Sequence, residues 1–143
     1  MKKILKGIFI LLFIVLLSAC TKDYKAITYT KFIETFQEEG YIVNNSSSQQ
    51  SDKYERFIEA SGKNNQFTYM EFKDEEEARN YVKTNYSKKK NYKYKDKKDY
   101  ITVKSTKERY FSLIQIDKIV IVGNTYTKSN KKEVNRMLKK LGY

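Results

Sequence analysis

Histidine is absent from the 143 residues, and the one cysteine, Cys20, stands at the end of an apolar run. Without histidine or a second thiol, the usual metal clusters, Ser-His-Asp triads and Cys-His pairs cannot be assembled, and Cys20 has no disulfide partner within the chain. Only carboxylate, lysine, serine and tyrosine chemistry remains. Acidic side chains are the minority, with 17 Asp and Glu against 29 Lys and Arg and a formal charge of +12. They cluster as Glu38-Glu39 and as Asp74 to Glu77, where helix ends are expected. Carboxylates in a first helical turn are favoured by the macrodipole, so these acids have a structural explanation that needs no catalytic pair. The expectation is a protein that is not an enzyme and that takes no metal and no cofactor. A membrane-long hydrophobic run is missing as well. Ile8 to Leu17 would reach about 15 Å as a helix, half of a hydrocarbon core of about 30 Å, and Lys6 interrupts any extension back to Ile4.

What is present at the start is an ordered series: the cations Lys2, Lys3 and Lys6, then that short run, then the small residues Ser18 and Ala19. Such a layout reads as a secretory signal, with an uncleaved anchor as the alternative. The residues Leu17, Ser18, Ala19 and Cys20 resemble the lipobox of bacterial lipoproteins at all four positions. That resemblance implies a diacylglyceryl group on the Cys20 thiol, cleavage between Ala19 and Cys20, and a lipid-bearing N-terminus on the outer face of the cell membrane. A thiolate is a far better nucleophile than a hydroxyl near neutral pH, which suits the residue type. Two acyl chains suit lasting attachment, since each buried methylene contributes about 0.8 kcal/mol and a single chain binds only reversibly.

Removing residues 1–19 takes away three lysines and leaves 124 of the 143 residues, with 26 of the 29 basic side chains against 17 acidic ones, a balance of +9. That length suits one domain, able to bury roughly two thirds of its unfolded surface without a disulfide or a metal. Residues 20–27 read as the lipidated N-terminus and tether, and residues 28–143 as a single domain.

Along that domain, Phe32, Ile33 and Phe36 predict a helix from about Thr30 to Glu39, stopped by Gly40. Tyr41 to Val43 reads as a strand and Asn44 to Ser51 as a flexible polar loop. Tyr54 to Ala60 and Phe67 to Phe72 alternate as paired antiparallel strands, with Phe67, Tyr69 and Glu71 on one face and Thr68, Met70 and Phe72 on the other. Asp74 reads as the N-cap of a second helix to Tyr86, with Ala78, Tyr81, Val82 and Tyr86 at helical spacing. Tyr100 to Ser105, Arg109 to Ile116 and Lys118 to Val122 read as three more strands. Ser129 or Asn130 caps a closing helix with the stripe Val134, Met137, Leu138 and Leu141, stopped by Gly142.

The resulting class is α+β: an antiparallel β-sheet with helices packed on one face. The order suggests a duplicated unit of one helix and three strands followed by a C-terminal helix, with "EEGY" and "KLGY" as matching stops. Over nearly all of the mature length, the spacing and the motifs "QFTYMEF" at 66–72, "DEEEARNYVKTNYSK" at 74–88 and "LGY" at 141–143 resemble a group of small, functionally uncharacterised lipoproteins of Gram-positive bacteria. The resemblance implies export, lipid anchoring and one small domain, and it brings no activity with it.

The stretch "YVKTNYSKKKNYKYKDKKDY", residues 81–100, interleaves five tyrosines with eight lysines. Charge this dense predicts a solvated, mobile connection from Lys88 to Lys98, and solubilisation alone would account for it. The functional alternative makes Lys88, Lys89, Lys90, Lys93, Lys95, Lys97 and Lys98 a binding surface for phospholipid head groups or anionic envelope polymers. Nucleic acid is not an expected partner, because no recognised motif accompanies the tyrosines. The leading expectation is a membrane-anchored, extracytoplasmic, non-catalytic binding or interaction module. The alternatives are a structural or accessory subunit of an envelope protein complex and a cell-wall polymer hydrolase.

Overall fold

The computed structural model describes residues 24–105, 109–127 and 130–143. Helix α1 (Tyr29–Glu38) begins at Thr28, whose side-chain oxygen accepts the Lys31 N–H at 3.2 Å. It ends at Gly40, where φ is +76°, a left-handed conformation that costs glycine least. Strands β1 (Ile42–Asn45), β2 (Arg56–Ser61) and β3 (Asn65–Glu71) follow, with a 3-10 turn at Ser47–Gln49 between the first two. Helix α2 (Glu75–Tyr86) is capped by Asp74, whose carboxylate accepts the Glu77 N–H at 2.9 Å. Strands β4 (Tyr92–Asp96), β5 (Tyr100–Ser105), β6 (Phe111–Ile116) and β7 (Ile119–Thr125) lead to α3 (Lys131–Lys140).

All seven strands form one sheet in the order β1-β2-β3-β7-β6-β5-β4, and every neighbouring pair is antiparallel. The α+β class with its C-terminal helix is therefore what the chain adopts. Alternation along β3 divides the core as the sequence indicates. Phe67 and Tyr69 meet Phe32 and Phe36 of α1 and join Val134, Met137 and Leu138 of α3 in one cluster. The Phe36 and Phe67 ring centroids lie 4.5 Å apart. On the other side, Met70 and Phe72 join Ala78 and Val82 of α2, together with Ile101, Val103 and Leu113.

Two expectations need correction. Helices do not all pack on one face: α1 and α3 share a face and α2 lies on the opposite one. Both faces of β6 and β7 are buried along almost their whole length, and Met70 and Phe72 extend the second face at the end of β3, so both must be covered. The lysine-rich segment, expected to be mobile, instead contains β4, an edge strand paired with β5 from Tyr92↔Ser105 to Asp96↔Ile101. Tyr92 and Tyr94 pack against the α2-side core, which gives this strand its inward face. The second half therefore holds four strands, and the suspected repeat of helix plus three strands does not hold as a count.

Part of the segment read as a tether also lies on the domain. Tyr24 and Ile27 pack against the first core cluster, and the Tyr24 ring stands edge-on to Tyr100 at 4.8 Å and to Tyr143 at 6.0 Å. Ala19, Cys20 and the candidate cap Ser129 lie outside the described residues. Asn130, the other candidate cap, precedes α3 without a side-chain hydrogen bond to it. No helix among the described residues is long and apolar enough to cross a membrane.

The close approach of α3 to the sheet depends on Gly123 of β7. A Cβ there would stand 2.8 Å from a ring carbon of Phe67 and 2.8 Å from Cγ1 of Val134. Gly123→Ala should therefore lose about 1–3 kcal/mol by overpacking, and Phe36→Ala about 3–5 kcal/mol by leaving a cavity, both read from urea unfolding midpoints. A G123A midpoint equal to that of the parent would mean that α3 does not pack where it is placed.

Candidate anion-binding surface

The seven lysines singled out from the sequence are all exposed, and the fold sorts them into three groups. Lys88, Lys89 and Lys90 lie in the turns between α2 and β4, with Lys89 Nζ 5.3 Å from the centroid of the Tyr86 ring. Lys97 and Lys98 occupy the β4–β5 connection. There the Arg79 guanidinium donates to their backbone carbonyls at 2.8 and 3.2 Å and to the Asp96 carboxylate. Lys93 and Lys95 alternate with the tyrosines of β4, so they project from the face opposite α2.

That face is the open end of the α1 and α3 side. Register places Lys93 across from Lys104 and Lys95 across from Thr102, and directly opposed residues share a face. Thr102 and Lys104 in turn line a cleft of about 410 Å³ between the sheet and α3. Ser112, Leu113 and Ile114 of β6, Asn135, Leu138 and Lys139 of α3, and the tyrosines Tyr24 and Tyr143 complete the lining. Among the described residues, no acidic side chain contributes to this lining. The structure thus puts Lys93 and Lys95 on the sheet face that carries the cleft, one strand beyond its lining, and leaves Lys88 to Lys90 and Lys97 to Lys98 at the two ends of the edge strand.

Sequence reasoning missed Lys104, Asn135, Lys139, Tyr24 and Tyr143. Lys104 stands at an outward position of an alternating strand, and Asn135 and Lys139 are four apart on the flank of the α3 stripe, so both periodicities carried the signal. Tyr24 carried none, because only tertiary packing brings it beside Tyr100.

The acids are held elsewhere. Glu39 and Glu133 converge on the Arg136 guanidinium, at 2.7 and 2.6 Å from Nη2, and Lys140 also pairs with Glu39. Hydrogen bonds from Arg136 and then Lys140 bring Glu39 down to about 2. Arg136 likewise lowers Glu133, which accepts the Tyr41 hydroxyl at 3.2 Å. Glu71 is 6 % exposed, and burial alone would raise its pKa, but hydrogen bonds from Arg56 and Lys118 overcome that and lower it. Lys118 bridges Glu71 and Glu55, each at 2.9 Å. Asp96 lies between Arg79 and Lys83, the latter at 3.5 Å. Glu39, Glu71 and Glu133, held ionised in this way, are poorly suited to donating a proton near neutral pH, the task of a general acid. By contrast, Lys93, Lys95 and Lys139 form no ion pair with a described residue.

Among the described residues, no group of three or more Asp, Glu, Cys or His could hold a metal ion. Comparison of the chain with protein-family models, curated proteins and solved structures finds no match.

The lowered carboxylates fix how stability should depend on pH. A group whose pKa falls on folding stabilises fully above its unfolded value and loses that contribution as pH drops through its folded value. Urea midpoints should therefore fall as pH decreases from about 5 towards 2, where Glu39, Glu71 and Glu133 take up protons. Arg136→Gln should flatten that slope. With no histidine present, the midpoint should stay level from about pH 5.5 to 8. A slope unchanged by R136Q would contradict the pairing assigned to Glu39 and Glu133.

Proposed function

We propose that the chain is an extracytoplasmic lipoprotein, fixed to the outer face of the cell membrane through a lipid on Cys20, whose domain is a non-catalytic binding module for anionic envelope polymers or lipid head groups. The observation that supports a binding role best is the separation of charge on the domain. Glu39, Glu55, Glu71, Glu75, Asp96 and Glu133 are drawn into ion pairs around Arg136, Lys118 and Arg79, while the lysines of β4, its flanking turns and Lys139 are left facing solvent. Fixing β4 to the sheet holds Lys93 and Lys95 on one surface, so a multivalent anion can meet them without first ordering a flexible segment, which would cost binding energy. Phosphate groups are the chemistry shared by the two ligand classes, and a lysine ammonium binds them as a point charge.

A second reading follows from the other edge of the sheet. Strand β1 carries no charged residue, and Ile42 is 69 % exposed, a condition open to strand addition by an envelope protein partner. In that case the domain would be an accessory subunit of an envelope complex.

Two measurements test the proposal. Mass spectrometry of the native protein should find an N-terminal Cys20 bearing a diacylglyceryl group, and Cys20→Ala should abolish both the modification and the processing. An unmodified thiol or a retained leader would overturn the anchoring. Affinity for phosphate-rich polymers should fall with rising salt, and K88Q/K89Q/K90Q should weaken it by up to about 1 kcal/mol per lysine. An affinity unmoved by either change would mean that these lysines only solubilise.

A further inference from the structure

We infer that the cleft between α3 and the β4–β5 end of the sheet is the face that rests on the membrane, and that its occupant is the anionic phospholipid head group of the leaflet holding the anchor. The inference deepens the function proposed above and rests on its lipid anchor. Three observations converge. The cleft is amphipathic and cationic: Ile114 and Leu138 give it an apolar part, Thr102, Ser112 and Asn135 supply hydrogen-bonding groups, and Lys104 and Lys139 supply charge. Its surroundings extend the same sign, since Lys93 and Lys95 share its face through the register with Lys104 and Thr102. Tyr24, four positions after Cys20, also lines the cleft and packs on Tyr100 and Tyr143.

The length of chain between anchor and cleft then sets the geometry. Four residue steps separate Cys20 from Tyr24, so even a fully extended connection reaches at most about 14 Å. A domain tied this close to a leaflet by a residue of the cleft presents the cleft's surroundings to the head groups rather than to distant polymer. Tyr24 and Tyr143 suit that position, because tyrosine carries an apolar ring and a polar tip and is favoured at the membrane interface. On the opposite face, cations of α2 are paired with acids. There Asp96 offsets Arg79 and Lys83, and Glu75 pairs with Arg79.

The test uses the acylated protein reconstituted in vesicles of phosphatidylcholine alone or with phosphatidylglycerol, and reads the reactivity of each lysine toward an amine reagent. Co-flotation with phosphatidylcholine vesicles reports the anchor by itself, so its absence would refute the anchoring rather than the orientation. With phosphatidylglycerol present, Lys93, Lys95 and Lys139 should label about fivefold more slowly, the factor expected for a lysine held at an anionic surface. Lys63 and Lys83 should be unaffected, and high salt should remove the difference. K93Q/K95Q should reduce the protection of Lys139 while leaving flotation intact. Equal labelling of Lys93, Lys95 and Lys139 on the two vesicle types would overturn the inference. Protection appearing on phosphatidylcholine vesicles only when soluble poly(glycerol phosphate) is added would also overturn it, by giving the cleft to a polymer.

Discussion

Strands β3 and β7 meet at the middle of the sheet, where antiparallel pairing from Asn65↔Thr125 to Glu71↔Ile119 joins a three-stranded meander to a four-stranded one. Strand β7 is apolar on both faces, and β3 turns Phe67 and Tyr69 to one side and Met70 to the other, so neither can be buried by helices on a single side. The arrangement of the helices follows from this. After β3 the chain must travel from the centre of the sheet to its far edge before β4 can pair, and α2 makes that crossing over the side that Met70 and Phe72 need covered. Helices α1 and α3 close the other side, where Gly123 lets α3 approach β7. The cationic cleft is the part of that side left open toward β4 and β5.

Electrostatics on this frame are uneven because the acids have structural partners. Glu39 ties the end of α1 to α3 through Arg136 and Lys140, two elements nearly a hundred residues apart in sequence. Glu71 links β3 to β2 through Arg56 and to the β6–β7 turn through Lys118. Asp96 and the backbone of Lys97 and Lys98 fasten the β4–β5 hairpin to α2 through Arg79. With these carboxylates engaged, the excess of lysine shows on the β4 edge. Lysine on an edge strand also discourages pairing with a second chain, so solubility and anion binding are compatible uses of the same residues.

Much of the fold was legible because single residues carried decisive signals. Gly40 and Gly142 stand at positive φ after their helices, Asp74 caps α2, and the Val134, Met137, Leu138 and Leu141 stripe is buried. The alternation of β3 was read on the correct faces. Two features were misread for physical reasons that can be named. In "YKYKD" the density of charge suggested mobility, whereas the period of two, tyrosine inward and lysine outward, was the stronger signal of an edge strand. In "LIQI" and "IVIV" the near-continuous apolar runs already indicated strands buried on both sides, which a single layer of helices cannot satisfy. Of the surface, the lysines of β4 were found and the α3 wall was not, because the cleft exists only when distant elements meet. Cys20 lies outside the described residues, and its role rests on the lipobox residues alone.

Solution NMR of residues 20–143 addresses most directly the claim that an ordered cationic face lies where the N-terminal segment joins the domain. The expected spectrum shows contacts from the Tyr24 ring to Tyr100 and Tyr143, together with cross-strand contacts between Lys93 and Lys104 and between Lys95 and Thr102. Random-coil shifts through residues 92–96, with no contacts from Tyr24, would contradict it.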